Sequence, residues 1–278
     1  MITAQDINTL RQQTGAGMMD CKEALTEAAG DFDKATEILR KKGREISAAR
    51  ADRATTEGVV FTKTDDAHRY GVMLALSCET DFVAKNEAFQ QLGQTILEVA
   101  FTHKPATLEI LLDIAVQGGL SVQEKITELV GKIGENIAIN AYTTLSSEIV
   151  VSYVHIGSNL GVLVGLAGDH SSQAIEAGRG VAMQIAAMNP IAIDKSGIDT
   201  AIVDRELTIA KEQARKAGKP ETMLDKIAQG KLNKFFEEAT LLNQPFVKNN
   251  GLTVAQYLAG IAPNLTVVAF DRISIKSS

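Results

Sequence analysis

Side chains able to do covalent chemistry are few in this 278-residue chain, and they are scattered. His68, His103, His155 and His170 lack metal-ligand spacing to one another and to Cys21 and Cys78, which stand too far apart for a metal knuckle or a disulfide framework. No metal or cofactor is expected. Neither G-x-S-x-G nor H-E-x-x-H occurs. Thr14-Gly15-Ala16-Gly17 resembles a phosphate loop only superficially, because it has no preceding strand and no following Gly-Lys-Ser/Thr; a helix–helix turn explains its glycines. His155 falls in an expected strand and reads first as a packed or edge residue. Its chemical alternative is a base that, with Asp169, flanks a hairpin in a small-molecule site. The segment Cys78-Glu79-Thr80-Asp81-Phe82-Val83 stands out most, lying where an apolar strand gives way to a helix. One reading is structural: Thr80 or Asp81 caps the helix and Phe82 or Val83 staples it. The other is an aromatic wedge on an exposed loop, held by a rigid frame for insertion into a partner.

Several elements must position these residues. Thr3 and Asp6 form a capping-box-like start for a first helix carrying Ile7 and Leu10. A second helix carries Cys21, Leu25 and Ala28 and stops at Gly30; a third, capped by Asp31, carries Ala35, Ile38 and Leu39 and is expected to end near Gly43. Residues 40–54 hold six basic and two acidic side chains, which reads as a solvated helical linker or as a docking strip for an acidic partner. A hairpin follows, VVFTKT and RYGVMLALSC around Asp65–His68. Then comes a helix with Phe89, Leu92, Ile96 and Ala100 that stops before Pro105, a short helix over 107–117, a helix opened by the Ser121–Glu124 capping box, and a strand over 137–145. The plan then recurs. Gly71-Val72-Met73-Leu74-Ala75-Leu76 parallels Gly161-Val162-Leu163-Val164-Gly165-Leu166, each in the second strand of a hairpin and each followed by a loop, a helix and a proline stop. A repeat of about 85–90 residues implies two related subdomains rather than a solenoid. Val203, Leu207, Ala210, Ala214 and Ala217 step as a heptad seam, and with a return helix over about 221–240 they read as an antiparallel hairpin inserted in the second copy. Thr266–Phe270 is expected to rejoin the second sheet.

Composition sets the class. Forty-five per cent apolar with 22% charged residues excludes wholesale disorder, and the net charge of −6 argues against a nucleic-acid coat. Ile149–Gly168 has no Asp, Glu, Lys or Arg, but Gly157-Ser158-Asn159 breaks it into a hairpin rather than a membrane span. The start, MITAQDINTLRQQ, has no leader-like apolar core. Free thiols fit a reducing compartment, so a cytoplasmic protein is expected.

A family resemblance adds to this. Thr14–Lys22 with Ala24-Leu25, and Cys78–Lys85 (CETDFVAK), resemble the two signatures of bacterial elongation factor Ts. Lys132–Ile137, Tyr153-x-His155 and Gln244–Val247 are similar to later segments of that family and occur in its order. Glu23 stands where the family usually has Lys, and Ser158-Asn159-Leu160 replaces a more basic turn. The resemblance implies an α+β protein: a three-helix ubiquitin-associated-like module with its linker (1–54), then subdomains 55–145 and 146–278 with small antiparallel sheets. A coiled-coil hairpin at 199–242 interrupts the second subdomain. It also implies a guanine-nucleotide exchange factor in translation elongation, no enzyme in the bond-making sense, whose partner is elongation factor Tu. In that reading Thr80, Asp81, Phe82 and Val83 form a wedge for the GTPase domain. Arg11, Met18 and Met19 lie on the N-terminal contact, and His155 lies on the second subdomain. No membrane, nucleic acid or stable small-molecule substrate is implied. The readings left beside it are an adaptor with a dimerising coiled-coil arm and the His155–Asp169 enzyme.

Overall fold

Local signals in the chain account for most of its elements. A computed structural model describes residues 2–275. The Thr3–Asp6 capping box opens α1 (Ala4–Thr14), and Gly15 closes it in the left-handed conformation. Helix α2 (Met18–Glu27) follows, and Asp31 caps α3 (Phe32–Arg50) through Asp33 N and Lys34 N. These three helices close on Leu10, Cys21, Leu25 and Ala35. The third does not stop near Gly43. It runs on to Arg50, taking up most of the basic strip, because Gly43 faces Gly131 on α7 (Val122–Ile133). A Cβ on Gly131 would lie 2.7 Å from Gly43 Cα, so the two helices pack backbone to backbone there. That close packing outweighs the ~1 kcal/mol helix penalty of a glycine. Ile46 rests on the core beyond it.

Strands β1 (Glu57–Thr64), β2 (Tyr70–Cys78) and β3 (Ile137–Ser146) form an antiparallel sheet in the order β1-β2-β3. Between β2 and β3 run α4 (Asp81–Ala84), α5 (Glu87–His103), α6 (Leu108–Asp113, shorter than the 107–117 expected) and α7. A second sheet, ordered β4-β5-β8, is built from β4 (Ile149–Val154), β5 (Leu160–Ala167) and β8 (Thr266–Ser274). It packs on α8 (Ser172–Met188). Mixed helices with small antiparallel sheets make the fold α+β.

The internal repeat is visible atom by atom at a constant offset. Val60 N donates to Ser158 O (2.6 Å), and Val150 N donates to His68 O (2.5 Å), so each hairpin tip docks on the first strand of the other sheet. His68 and Ser158 both adopt positive φ, 55° and 59°. The register shifts between Ala75 and Leu76 in one sheet and between Gly165 and Leu166 in the other. β2 is buried on both faces: Val72, Leu74 and Leu76 meet the helices, whereas Met73 and Ala75 meet Val150 and Leu163 of the second sheet. Gly71 and Gly161 allow that approach, since a Cβ at either would come within 2.8 Å of a facing side chain.

The copies differ most in two places. The second carries α9 (Thr200–Lys216) and α10 (Glu221–Ala239), which pack chiefly on each other with Ala210, Ala214, Leu224 and Ala228 buried between them; Ala217, at the end of the seam, is exposed. The chain leaves and returns side by side through an Ala192–Thr240 bridge, and Leu241 already belongs to the second core. A small hairpin of β6 (Pro245–Phe246) and β7 (Asn249–Thr253) and a helix α11 (Val254–Ile261) complete that core. These three elements were not foreseen from the sequence. The other difference is the strand-to-helix connector: residues 79–86 in the first copy, but only 168–171 in the second. The longer connector carries Phe82.

Candidate functional site

The 79–86 connector begins where β2 ends, and both structural and exposed roles occur in it. Thr80 caps α4, its hydroxyl accepting from Val83 N (3.5 Å). Val83 and Ala84 are buried in the first core. Asp81 pairs with Lys85 at 2.7 Å, an exposed contact that raises the Lys85 pKa through the Asp81 hydrogen bond. Phe82 is 82% exposed, so its ring projects from the helical turn into solvent. Of the two staple candidates, Val83 goes inward and Phe82 outward.

The connector is held from across the molecule. Glu135 accepts from Thr80 N (3.0 Å) and from Thr80 Oγ1 (2.8 Å). In return Glu79 accepts from Asn136 N (2.7 Å) and, more weakly, from Arg53 Nη1 (3.3 Å). Asn136 Nδ2 donates to Arg53 O (2.8 Å) and Ala51 O (3.3 Å), just past the end of α3. Gly134, left-handed at the end of α7, turns the chain so that Glu135 and Asn136 meet the connector. Sequence reasoning marks Lys132–Ile137 only as a family-like segment and gives Glu79, Glu135 and Asn136 no role. Below the connector the Cys78 thiol donates to Thr80 O (3.1 Å); burial, and secondarily the Glu135 charge, push its pKa up to about 12. It is a packed, unreactive thiol.

Arg11 and Met18 line an open cleft of about 720 Å³ with Gly15, Asn86, Glu87 and Lys132, so the N-terminal helices border the segment just after α4. Met18 and Met19 are 54% and 63% exposed. Met19 is therefore a surface residue and does not fill the three-helix core.

His155 is placed elsewhere. It is not in a strand: β4 ends at Val154, and His155 begins the turn, exposed, its Nδ1 2.9 Å from Tyr153 Oη. The left-handed Ser158 and positive-φ Gly157 shape the turn, and the strand stops before His155. Asp169 follows the far end of β5 and accepts from Ser171 Oγ. An eight-residue strand at ~3.3 Å per residue separates the two by about 25 Å, so they cannot act on one small molecule. Among the described residues no group of three or more His, Cys, Asp or Glu is arranged to hold a metal, and no helix is long and apolar enough to cross a membrane.

A family model described as Elongation factor TS matches residues 79–276, beginning one residue before Thr80. The Elongation factor Ts of Amoebophilus asiaticus is 60% identical over 274 residues, covering 99% of both chains. The chain belongs to the elongation factor Ts family. It is thus an elongation factor of protein biosynthesis. The relatives of that name from Cytophaga hutchinsonii (52% over 274 residues) and Porphyromonas gingivalis (46% over 278 residues) also cover 99% of each chain. The relatives therefore extend over the three N-terminal helices, which the family model leaves unmatched.

Proposed function

We propose that this chain is a guanine-nucleotide exchange factor that binds elongation factor Tu and speeds its release of GDP. Membership of the family supports the exchange role, and the exposed, anchored Phe82 supports the mechanism. Phe82 enters the GTPase domain of the partner, and burying the ring there contributes roughly 1.5–3 kcal/mol. The intrusion displaces segments that order the Mg²⁺ and phosphate contacts. Asp81 shapes the loop, and Val83 roots it. Residues 1–54 touch the GTPase domain through Arg11, Met18 and Met19. Subdomain 55–145 supplies the wedge, and subdomain 146–278, with His155 at its hairpin tip, holds another domain of the partner; its last three residues lie outside those described. Exchange is reciprocal linkage: whatever weakens GDP when the factor binds equally weakens the factor when GDP binds. A coupling of about 4 kcal/mol corresponds to roughly a thousandfold change in affinity. The chain makes and breaks no covalent bond and works in the cytoplasm, with no membrane, nucleic acid or cofactor of its own.

Release of a fluorescent GDP analogue from elongation factor Tu tests this. Wild type should accelerate release strongly. Phe82→Ala should lose most of the effect with an unchanged melting curve, because the ring packs on little of its own chain. No acceleration by wild type would refute the assignment.

A further inference from the structure

We propose that Glu135 is a positioning residue for Phe82, and that Glu79 and Asn136 extend the same clasp to the end of α3. This rests on the exchange reading above. Helix α4 is a single turn of four residues, below the length at which a helix sustains itself. Its most prominent side chain lies in solvent and contributes almost nothing to holding it. Val83 and Ala84 root the turn in the core, but two small apolar side chains fix depth better than direction.

Direction comes from Thr80, and both of its donors go to one carboxylate, Glu135. A hydroxyl has one hydrogen and two acceptor lone pairs. By taking the hydrogen, Glu135 leaves the lone pairs of Thr80 Oγ1 facing the turn, where Val83 N reaches one of them. Hydrogen bonds to a charged acceptor are about twice as strong as neutral ones, so this bond dominates the orientation of the cap. The crossing partner, Glu79, bonds Asn136 N, and the Asn136 side chain bonds the carbonyls of Ala51 and Arg53. The wedge loop, the start of β3 and the exit from the N-terminal helices therefore share one hydrogen-bonded knot. The second repeat has the shorter 168–171 connector in place of this loop, so the two-sheet scaffold does not require a clasped loop of this kind.

Two measurements test the inference. The chain contains no Trp, so Phe82→Trp places a single reporter at the wedge. Its time-resolved anisotropy should show greater local motion in Glu135→Ala than in the Phe82→Trp parent, with Glu135→Gln, which keeps one acceptor oxygen, in between. In GDP release from elongation factor Tu at saturating factor, Glu135→Ala removes both Thr80 bonds and should lower the acceleration at least about tenfold, the worth of one charge-assisted hydrogen bond. Glu135→Ala combined with Phe82→Ala should be no worse than Phe82→Ala alone, because Glu135 acts through the ring. Identical anisotropy decays would overturn the proposal. So would undiminished exchange by Glu135→Ala where wild type accelerates and Phe82→Ala does not, or losses that multiply in the double variant. Should Glu135→Ala fail to fold, Glu135→Gln takes its place in the same cycle. A wild type without exchange activity would instead sink the exchange reading, while the anisotropy arm still reports on the clasp.

Discussion

Replacing Gly161 by Ala should destabilise the protein, although the same change stabilises where the backbone already suits alanine and the Cβ has room. Gly161 lies in β5 against the first sheet. An added Cβ there would sit 2.5 Å from Val60 Cγ1 and 2.8 Å from Met73 Sδ. Met73 can flex away, but Val60 is branched at Cβ and held in β1. Overpacking of this kind costs about 1–3 kcal/mol. Reduced freedom of the unfolded chain returns about 0.4–1 kcal/mol. Mid-range values leave a net loss of about 1.3 kcal/mol, or a melting temperature lower by about 3–5 °C for a chain of this size. Urea and thermal unfolding of Gly161→Ala, Val60→Ala and the double variant measure it. The double variant should be at least about 1 kcal/mol less destabilised than the two single losses added, because Val60→Ala removes the methyl that is struck. Gly230→Ala is the opposite control. It lies inside α10 with no atom within 4 Å of its would-be Cβ, and should gain up to about 1 kcal/mol from helix propensity. A Gly161→Ala variant as stable as wild type would show that the sheets are not in contact as described.

The helical arm should be dispensable for folding, provided the deletion spans 199–239 and spares Thr240 and Leu241, which belong to the second core; a short linker joining the ends should leave a single cooperative melt, and a broadened or lost transition would contradict this. Cys78 should give an alkaline signature. An ordinary cysteine thiol titrates near 9.0, but burial makes this one hold its proton in the fold to about 12. The stability this contributes is complete below pH 9 and lost as pH rises toward 12. Relative to Cys78→Ala, wild-type stability should therefore fall more steeply across that window, and the folded thiol should not react with a disulfide reagent at pH 8.

Much of the fold was legible because the signals are local. Capping boxes at Thr3 and Ser121, proline stops after α5 and α8, and the turns at Asp65 and Gly157 mark boundaries through bonds between residues a few positions apart. The repeat showed itself because both second strands are buried on both faces and need the same run of apolar residues. Phe82 could be singled out, but whether it or Val83 turned inward depended on the pitch of one capped turn. Gly43 misled, since a glycine that ends a helix and a glycine that lets two helices touch are the same letter. Its partner, Gly131, is far along the chain.

By itself, then, the sequence determined the α+β class, the duplicated hairpins and most of the helices, and it singled out the segment that carries Phe82, all through periodicity, caps and motifs within short windows. Tertiary structure alone decided that α3 continues onto the core, that His155 stands off its strand, and that Glu135 and Asn136 hold the loop bearing Phe82 through Thr80 and Glu79. The Glu135–Thr80 bonds join residues 55 positions apart. A bond between a carboxylate and a distant hydroxyl leaves no periodic trace in a chain, so it becomes visible only when folding brings the two together.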